Sequence, residues 1–250
     1  GQITAAVAPV GGGGMAAPTP GGTVVPAADG ADLFILPAAL GPDGRASELH
    51  AVPVADVTVT PVASLDPTRR LGMLGWEPSP ATLIASGGDA RSRLGDLANR
   101  AAVATAAELL GLADRMITLA AAYAKDRHQF GKPIGSFQAV KHLLAGAQVR
   151  LEFARPAVYA AAWSLGDPEL AGTAPGARSA SLAKAYASEA ATEAARVSLQ
   201  VHGAIGYTWE CDLHLYLKRA WALAESWGSA ADHRRRILSS LVDEGRPTQG

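Results

Sequence analysis

Tyr123-Ala124-Lys125-Asp126-Arg127-His128-Gln129-Phe130-Gly131-Lys132-Pro133-Ile134-Gly135-Ser136-Phe137-Gln138-Ala139-Val140-Lys141-His142 closes one helical pattern and opens the next. Upstream of it, Leu94, Leu97, Ala101, Ala104, Glu108, Leu112, Met116, Leu119 and Tyr123 recur every three to four residues, which predicts a helix from about Arg93. Gly131-Lys132-Pro133 stops that helix. Ser136 is the expected N-cap of a second helix, which reaches about Trp163 and carries Pro156 inside it, a residue expected to kink it. Gly166-Asp167-Pro168 and Gly172–Gly176 form the next break, and a third helix runs from about Ala177 to His202. Gly203–Thr208 reads as a loop, with Thr208 capping a short fourth helix through Ala224. Gly228-Ser229 opens a last helix ending near Val242.

Upstream of residue 90 the pattern is different. Gly and Pro fall at close intervals, and Ile3–Val7, Leu33–Leu36, Ala51–Val54 and Val57–Val62 read as short strands between them. Gly41-Pro42-Asp43-Gly44 is a strong turn signal. The chain therefore divides into a partial β domain at 1–90 and an α-helical domain at 91–250. The fold class is α+β, an antiparallel β domain followed by four or five helices packed as a bundle. No internal repeat is present.

Composition narrows the function. The 250 residues are 48% hydrophobic and 18% charged, enough apolar surface for a sizeable core. Twenty-two Lys and Arg against twenty-three Asp and Glu leave a formal charge of −1, so nothing global draws the chain to nucleic acid or to an acidic membrane. The single cysteine, Cys211, excludes an internal disulfide. No apolar run of about 18 residues suits a membrane span. Residues 1–28 carry no Lys or Arg, so they lack the basic region of a signal peptide, and a cytoplasmic setting is expected.

Taken one at a time, the motifs are modest. Arg127 is a planar donor fork suited to pyrophosphate, yet an exposed Arg at a helix C-terminus is the commoner case. Gln200-Val201-His202-Gly203-Ala204-Ile205-Gly206-Tyr207 allows close backbone approach to a ligand, yet a C-cap and turn explain it equally. Gly11–Gly14 lacks the Lys-Ser/Thr of a P-loop and reads as a flexible connection. His50, His128, His142, His202, His214 and His233 show no ligand spacing, so no metal is expected. Arg234-Arg235-Arg236 reads as a solvated helix face, and Trp209, Trp221 and Trp227 as core or interface anchors.

In combination the segments resemble the acyl-CoA dehydrogenase family. The stretch from Ala107-Glu108-Leu109-Leu110-Gly111 through His142 is similar to that family's R-x-Q-F-G-x-P-I-G-x-F-Q signature. Gln200 through Thr208 resembles its Q-x-H-G-G-x-G-Y-T, and Ser64-Leu65-Asp66-Pro67-Thr68-Arg69-Arg70 a phrase near the end of its β domain. The resemblance covers nearly the whole chain. It implies FAD, an acyl-CoA thioester substrate and α,β-dehydrogenation, in which a carboxylate takes the α-proton and the β-hydride passes to the flavin. It also implies an N-terminal helical domain that has no counterpart in these residues, and cofactor contacts from Arg127, Gln129, Phe130, Gln138, Gln200, Val201, His202, Gly203 and Ala204 to the FAD of a neighbouring subunit.

The departures from the family matter as much. One family base position, the Glu of an E-G-T phrase, is Trp227 in Glu225-Ser226-Trp227-Gly228-Ser229, and the other is Ala101. Neither accepts a proton, so no catalytic residue is assigned. The flavin-ring phrases are replaced by Ala8-Pro9-Val10-Gly11-Gly12-Gly13-Gly14 and Thr23-Val24-Val25-Pro26, and Ala204 stands for the second glycine of the nucleotide loop. The expectation is a catalytically silent subunit, resembling the shortened subunit of actinobacterial α2β2 enzymes of steroid side-chain or fatty-acid breakdown. Its partner would be a full-length homologue that carries the base and binds most of the acyl-CoA. The alternatives are an active homomer with a relocated base (Glu108, Asp96 or Glu225) and a non-enzymatic scaffold.

Overall fold

A computed structural model describes residues 3–8, 23–41 and 46–244. The Gly11–Gly14 connection, most of the Ala8–Gly14 phrase and the Pro42–Gly44 turn lie outside the described residues. Contacts divide the chain into two compact units, Gly1–Ala98 and Asn99–Gly250.

Among its described residues the first unit holds seven strands: β1 (Ala5–Val7), β2 (Thr23–Val25), β3 (Leu33–Leu40), β4 (Ala46–Pro53), β5 (Thr58–Val62), β6 (Leu71–Gly75) and β7 (Leu83–Ser86). They form a four-stranded sheet ordered β1-β3-β4-β7 and a three-stranded sheet ordered β2-β6-β5. All pairs but one are antiparallel. The exception is β1, which runs parallel to β3 with Ala5 opposite Leu33. The long connection between these two strands supplies the crossover length that parallel pairing requires. Pro37 does not end β3, because it lies beyond the three residues paired with β1 and its missing N–H breaks no bond there. Val25, Phe34, Leu36, Val52 and Leu74 meet in the core of this unit. Gly72 in β6 is demanded by space: a Cβ there would lie 2.6 Å from the Ala28 side chain and 2.8 Å from that of Val59. Buried His50 ties β4 to the residue that precedes β7, with Nδ1 3.0 Å from Thr82 Oγ1 and the ring edge-on to Trp76.

The helices are α1 (Gly87–Asp126), α2 (Gln138–Gly166), α3 (Ala174–His202), α4 (Leu213–Glu225) and α5 (Ala230–Glu244). A two-residue pair, β8 (His128–Gln129) with β9 (Lys132–Pro133), separates α1 from α2. None is long and apolar enough to cross a membrane among the described residues. Helix α1 begins six residues before the expected start, directly after β7. Ser136 does not cap α2. It closes a 3-10 turn whose bond from Phe137 N–H to the Ile134 carbonyl makes Phe137 the N-cap. Helix α2 continues through exposed Pro156. Thr173 caps α3 with Pro175 in the first turn, where a missing N–H costs nothing. Thr208 is not a cap either, since its hydroxyl donates to the Ile205 carbonyl and α4 starts five residues later. At the start of α5, Ser229 and Asp232 form a reciprocal capping box.

Helix α3 is the centre of the second unit and packs against α2, α4 and α5. Its buried face is almost all small: Ala180, Ala183, Ala187, Ala191, Ala194 and Ser198, among others. On α2 the matching positions include Ala147, Ala154 and Ala161, with Leu151 and Val158 between them. Small residues on both sides let the backbones approach closely at native packing density. Ala191→Leu is therefore expected to overpack the bundle and destabilise it by about 1–3 kcal/mol. Urea denaturation checks this, as a lower midpoint with an unchanged slope.

Candidate functional site

The α1–α2 connection is built on backbone bonds. Arg127 N–H donates to the Tyr123 carbonyl at 2.9 Å, and Ile134 N–H donates to the Arg127 carbonyl at 2.8 Å. Phe130 (φ 54°) and Gly131 (φ 77°) form the tip of the β8–β9 pair, the two positive φ values of a type I′ turn. The hairpin folds back so tightly that a Cβ on Gly135 would lie 2.9 Å from the Ala124 carbonyl oxygen. Phe130 is 91% exposed and edge-on to Phe137, over whose ring Lys132 Nζ sits at 4.5 Å.

The α3 end is built differently. Gly203, at φ 63°, caps α3 through its N–H to the Leu199 carbonyl and turns the chain into a 3-10 segment, Gly203–Tyr207. Gly206 is packed close, with its missing Cβ 3.0 Å from Leu199 and 3.1 Å from His202. His202 is buried, and its Nδ1–H donates to the Ser198 carbonyl at 2.7 Å. Its ring stacks on Tyr123, centroids 4.6 Å apart and planes 19° from parallel. That stack ties the C-terminal end of α1 to the C-terminal end of α3, so both motifs occupy one end of the helical unit.

The residues expected at a nucleotide sort into two groups. Arg127, Gln138 and Gln200 are exposed, and among the described residues their side chains have no hydrogen-bond or ion-pair partner. Ala204, four residues after Gln200, is exposed as well. Gln129, by contrast, turns its amide onto the carbonyl of His128 at 2.9 Å. Val201 points into the bundle core, and His202 is occupied by the stack and the Ser198 bond. An unpaired guanidinium, two free amides and a left-handed glycine form a donor set for an anionic ligand with a polar ring.

Neither of the two positions at which the resemblance leads one to expect a base carries a carboxylate. Ala101 is half-buried on α1, and Trp227, at φ 60°, sits in the α4–α5 turn with Gly228 at φ 99°. Glu108 is held by Arg219 of α4 at 2.7 Å. Two basic side chains, Lys184 and His233, lie beneath the Trp227 turn. Lys184 Nζ donates to the carbonyls of Ala224 (2.8 Å) and Gly228 (3.0 Å), and His233 Nε2–H donates to that of Trp227 (2.9 Å). The available signal was a lysine at 184 on the small-residue face of α3, four residues from Ala180 and Ser188.

Burial pushes the His233 imidazole down to about 4, with Lys184 and Arg236 acting in the same direction and the Trp227 carbonyl and Asp232 against it. The unfolded imidazole titrates near 6.5, so between these values the folded chain binds fewer protons. Stability from this group is complete above about 6.5 and is lost as pH falls toward about 4, by up to about 3 kcal/mol. Urea midpoints at pH 6.5 and 4.5 are expected to differ less for His233→Gln than for the unaltered chain.

The family signature described as acyl-CoA dehydrogenase, C-terminal domain, matches residues 94–242. The acyl-CoA dehydrogenase IpdE2 of Mycobacterium tuberculosis is 40% identical over 181 residues, 72% of this chain and 51% of that protein. This chain spans about half the length of that relative. Among solved structures, the ChsE4–ChsE5 complex from Mycobacterium tuberculosis matches with a TM-score of 0.75 and 27% identity, over 98% of this chain and 68% of that one. A variant of the Tcur3481–Tcur3483 steroid acyl-CoA dehydrogenase also gives a TM-score of 0.75, at 25% identity, over 97% of this chain and 63% of its own. With the helical unit matched almost end to end and both sequence motifs gathered at one end of it, the chain belongs to the acyl-CoA dehydrogenase family.

Proposed function

We propose that this chain is the catalytically silent subunit of a heteromeric, cytoplasmic acyl-CoA dehydrogenase and completes the FAD site of a base-bearing partner. The carrying observation is a contrast. Arg127, Gln138 and Gln200 are exposed and unpaired, while Ala101 and Trp227 stand where a carboxylate would be needed. The donor set fits the nucleotide half of FAD. The Arg127 fork suits the pyrophosphate, and the amides of Gln138 and Gln200 suit polar ring atoms or phosphate oxygens. Gly203 gives its backbone room for close approach, and the exposed Ala204 methyl is the one added group. When bound, FAD supplies hydride acceptance in the oxidation of an acyl-CoA. This chain's residues bind and orient it, and α-proton removal belongs to the partner.

Two further points support a partner. The solved structures similar to this chain include the ChsE4–ChsE5 complex and a Tcur3481–Tcur3483 enzyme. Helix α2 also leaves Val149, Phe153, Tyr159 and Trp163 exposed, an apolar face that water does not favour. The name of the Tcur3481–Tcur3483 enzyme makes a steroid-derived acyl-CoA the substrate class to test first, in an α2β2 assembly.

The full chain is to be co-expressed with a base-bearing homologue and the flavin in the purified complex measured by absorbance. Arg127→Ala is expected to weaken FAD binding about 10–100-fold, the worth of a charge-assisted hydrogen bond to a phosphate, while the complex still assembles. Unchanged FAD affinity, or a homo-oligomer of this chain alone that holds one flavin per chain and oxidises an acyl-CoA, overturns the reading.

A further inference from the structure

Lys184 is wholly buried, and its Nζ has three neighbours: the carbonyls of Ala224 and Gly228, and Ser188 Oγ at 3.0 Å. The two carbonyls can only accept, so they take two N–H protons. Ser188 decides the rest, because its buried hydroxyl has no partner other than Nζ among the described residues. An ammonium would aim its third proton at Ser188 Oγ and leave the hydroxyl proton with no acceptor. A neutral amine instead accepts the Ser188 O–H on its lone pair, and every donor and acceptor in the cluster is then used.

His233, on the other side of the turn, also favours the uncharged form. Its Nε2–H goes to the Trp227 carbonyl, and its buried Nδ1 has no partner. A second proton on Nδ1 would have nothing to receive it. The carbonyls of Ala224, Trp227 and Gly228 are thus held by N–H groups of two side chains from two different helices, α3 and α5.

The charged surroundings are few. Glu225 at the end of α4 and Asp232 on α5 are the carboxylates that act on Lys184. Asp232 is committed to Ser229 and Arg235, and Glu189, further along α3, pairs with Arg234. Arg236 on α5 adds a positive charge near His233. Burial outweighs both carboxylates and draws Lys184 down to about 8.

We propose that Lys184 is a positioning residue that gives up its proton more readily than an exposed lysine, because only its neutral amine can accept the Ser188 hydroxyl proton, and that it fixes the backbone of the turn that carries position 227. The inference stands on this geometry alone and does not depend on the proposed function. It is read in the full chain with no flavin or acyl-CoA present.

The experiment follows the lysine side-chain carbons by NMR in protein labelled at lysine Cε, with Lys184 assigned through Lys184→Arg. The Lys184 resonance is expected to titrate at about 8, roughly two pH units below the ordinary lysine value. Ser188→Ala, a mild change inside a helix, is expected to raise the Lys184 midpoint, because it removes the proton donor that only the neutral form uses. In protein labelled with 5-fluorotryptophan, the Trp227 resonance, assigned through Trp227→Phe, is expected to move with the same midpoint. Lys184→Arg, permanently charged, is expected to shift it at every pH. Titration of Lys184 at the ordinary lysine value, or a lower midpoint in Ser188→Ala, overturns the proposed acceptance of the Ser188 proton. A Trp227 resonance indifferent to both the titration and Lys184→Arg overturns the positioning role.

Discussion

The bundle depends on how closely α2 and α3 approach each other across alanine. Each alanine buries little more than a methyl group, so many are needed where a few leucines would otherwise serve. The larger buried side chains, Leu109 and Met116 on α1, Leu151 on α2 and Leu213 and Leu217 on α4, fill the space that the alanines leave. A thin seam has two effects. It places bulky apolar groups such as Phe153 and Trp163 on the outer face of α2. It also leaves room beside α3 for the long stem of Lys184, which lies along small neighbours before its head reaches the α4–α5 turn.

The same packing aligns the helix ends. Tyr123 and His202 meet face to face because α1 and α3 deliver them to one level, and the Ser198 carbonyl fixes which His202 nitrogen carries its proton. Behind that stacked pair the core is closed, while Arg127, Gln138 and Gln200 stay free on the outside. The division of labour is local. Val201 and His202 make the end of α3 rigid, Gly203 turns the backbone, and the flanking amides and guanidinium face solvent.

The helices were legible because the apolar period of three to four residues is sustained over long runs. Their starts were less so. Ser136 and Thr208 have the right chemistry for caps, but neighbouring 3-10 turns had already taken the bonds they would have made. Strand β6 escaped notice because one of its inward positions is Gly72, where Ala28 and Val59 leave no room for a side chain. Strand β7 was hidden by its direct continuation into α1. At the site, the family resemblance singles out Arg127, Gln138 and Gln200, and their lack of partners needs coordinates. Lys184 could not be picked out, since a lysine in an alanine-rich helix reads as a solvated residue until its burial is known.

Trp227 has a left-handed backbone that costs a side-chain-bearing residue roughly 1–2 kcal/mol. It keeps that backbone because the turn is held from outside itself, by Lys184 and His233 through main-chain carbonyls and by Ser229 through the capping box that follows. None of those bonds involves the side chain at 227. The loop's course is therefore indifferent to what it displays, and a side chain of quite different chemistry can stand there without the scaffold registering the change.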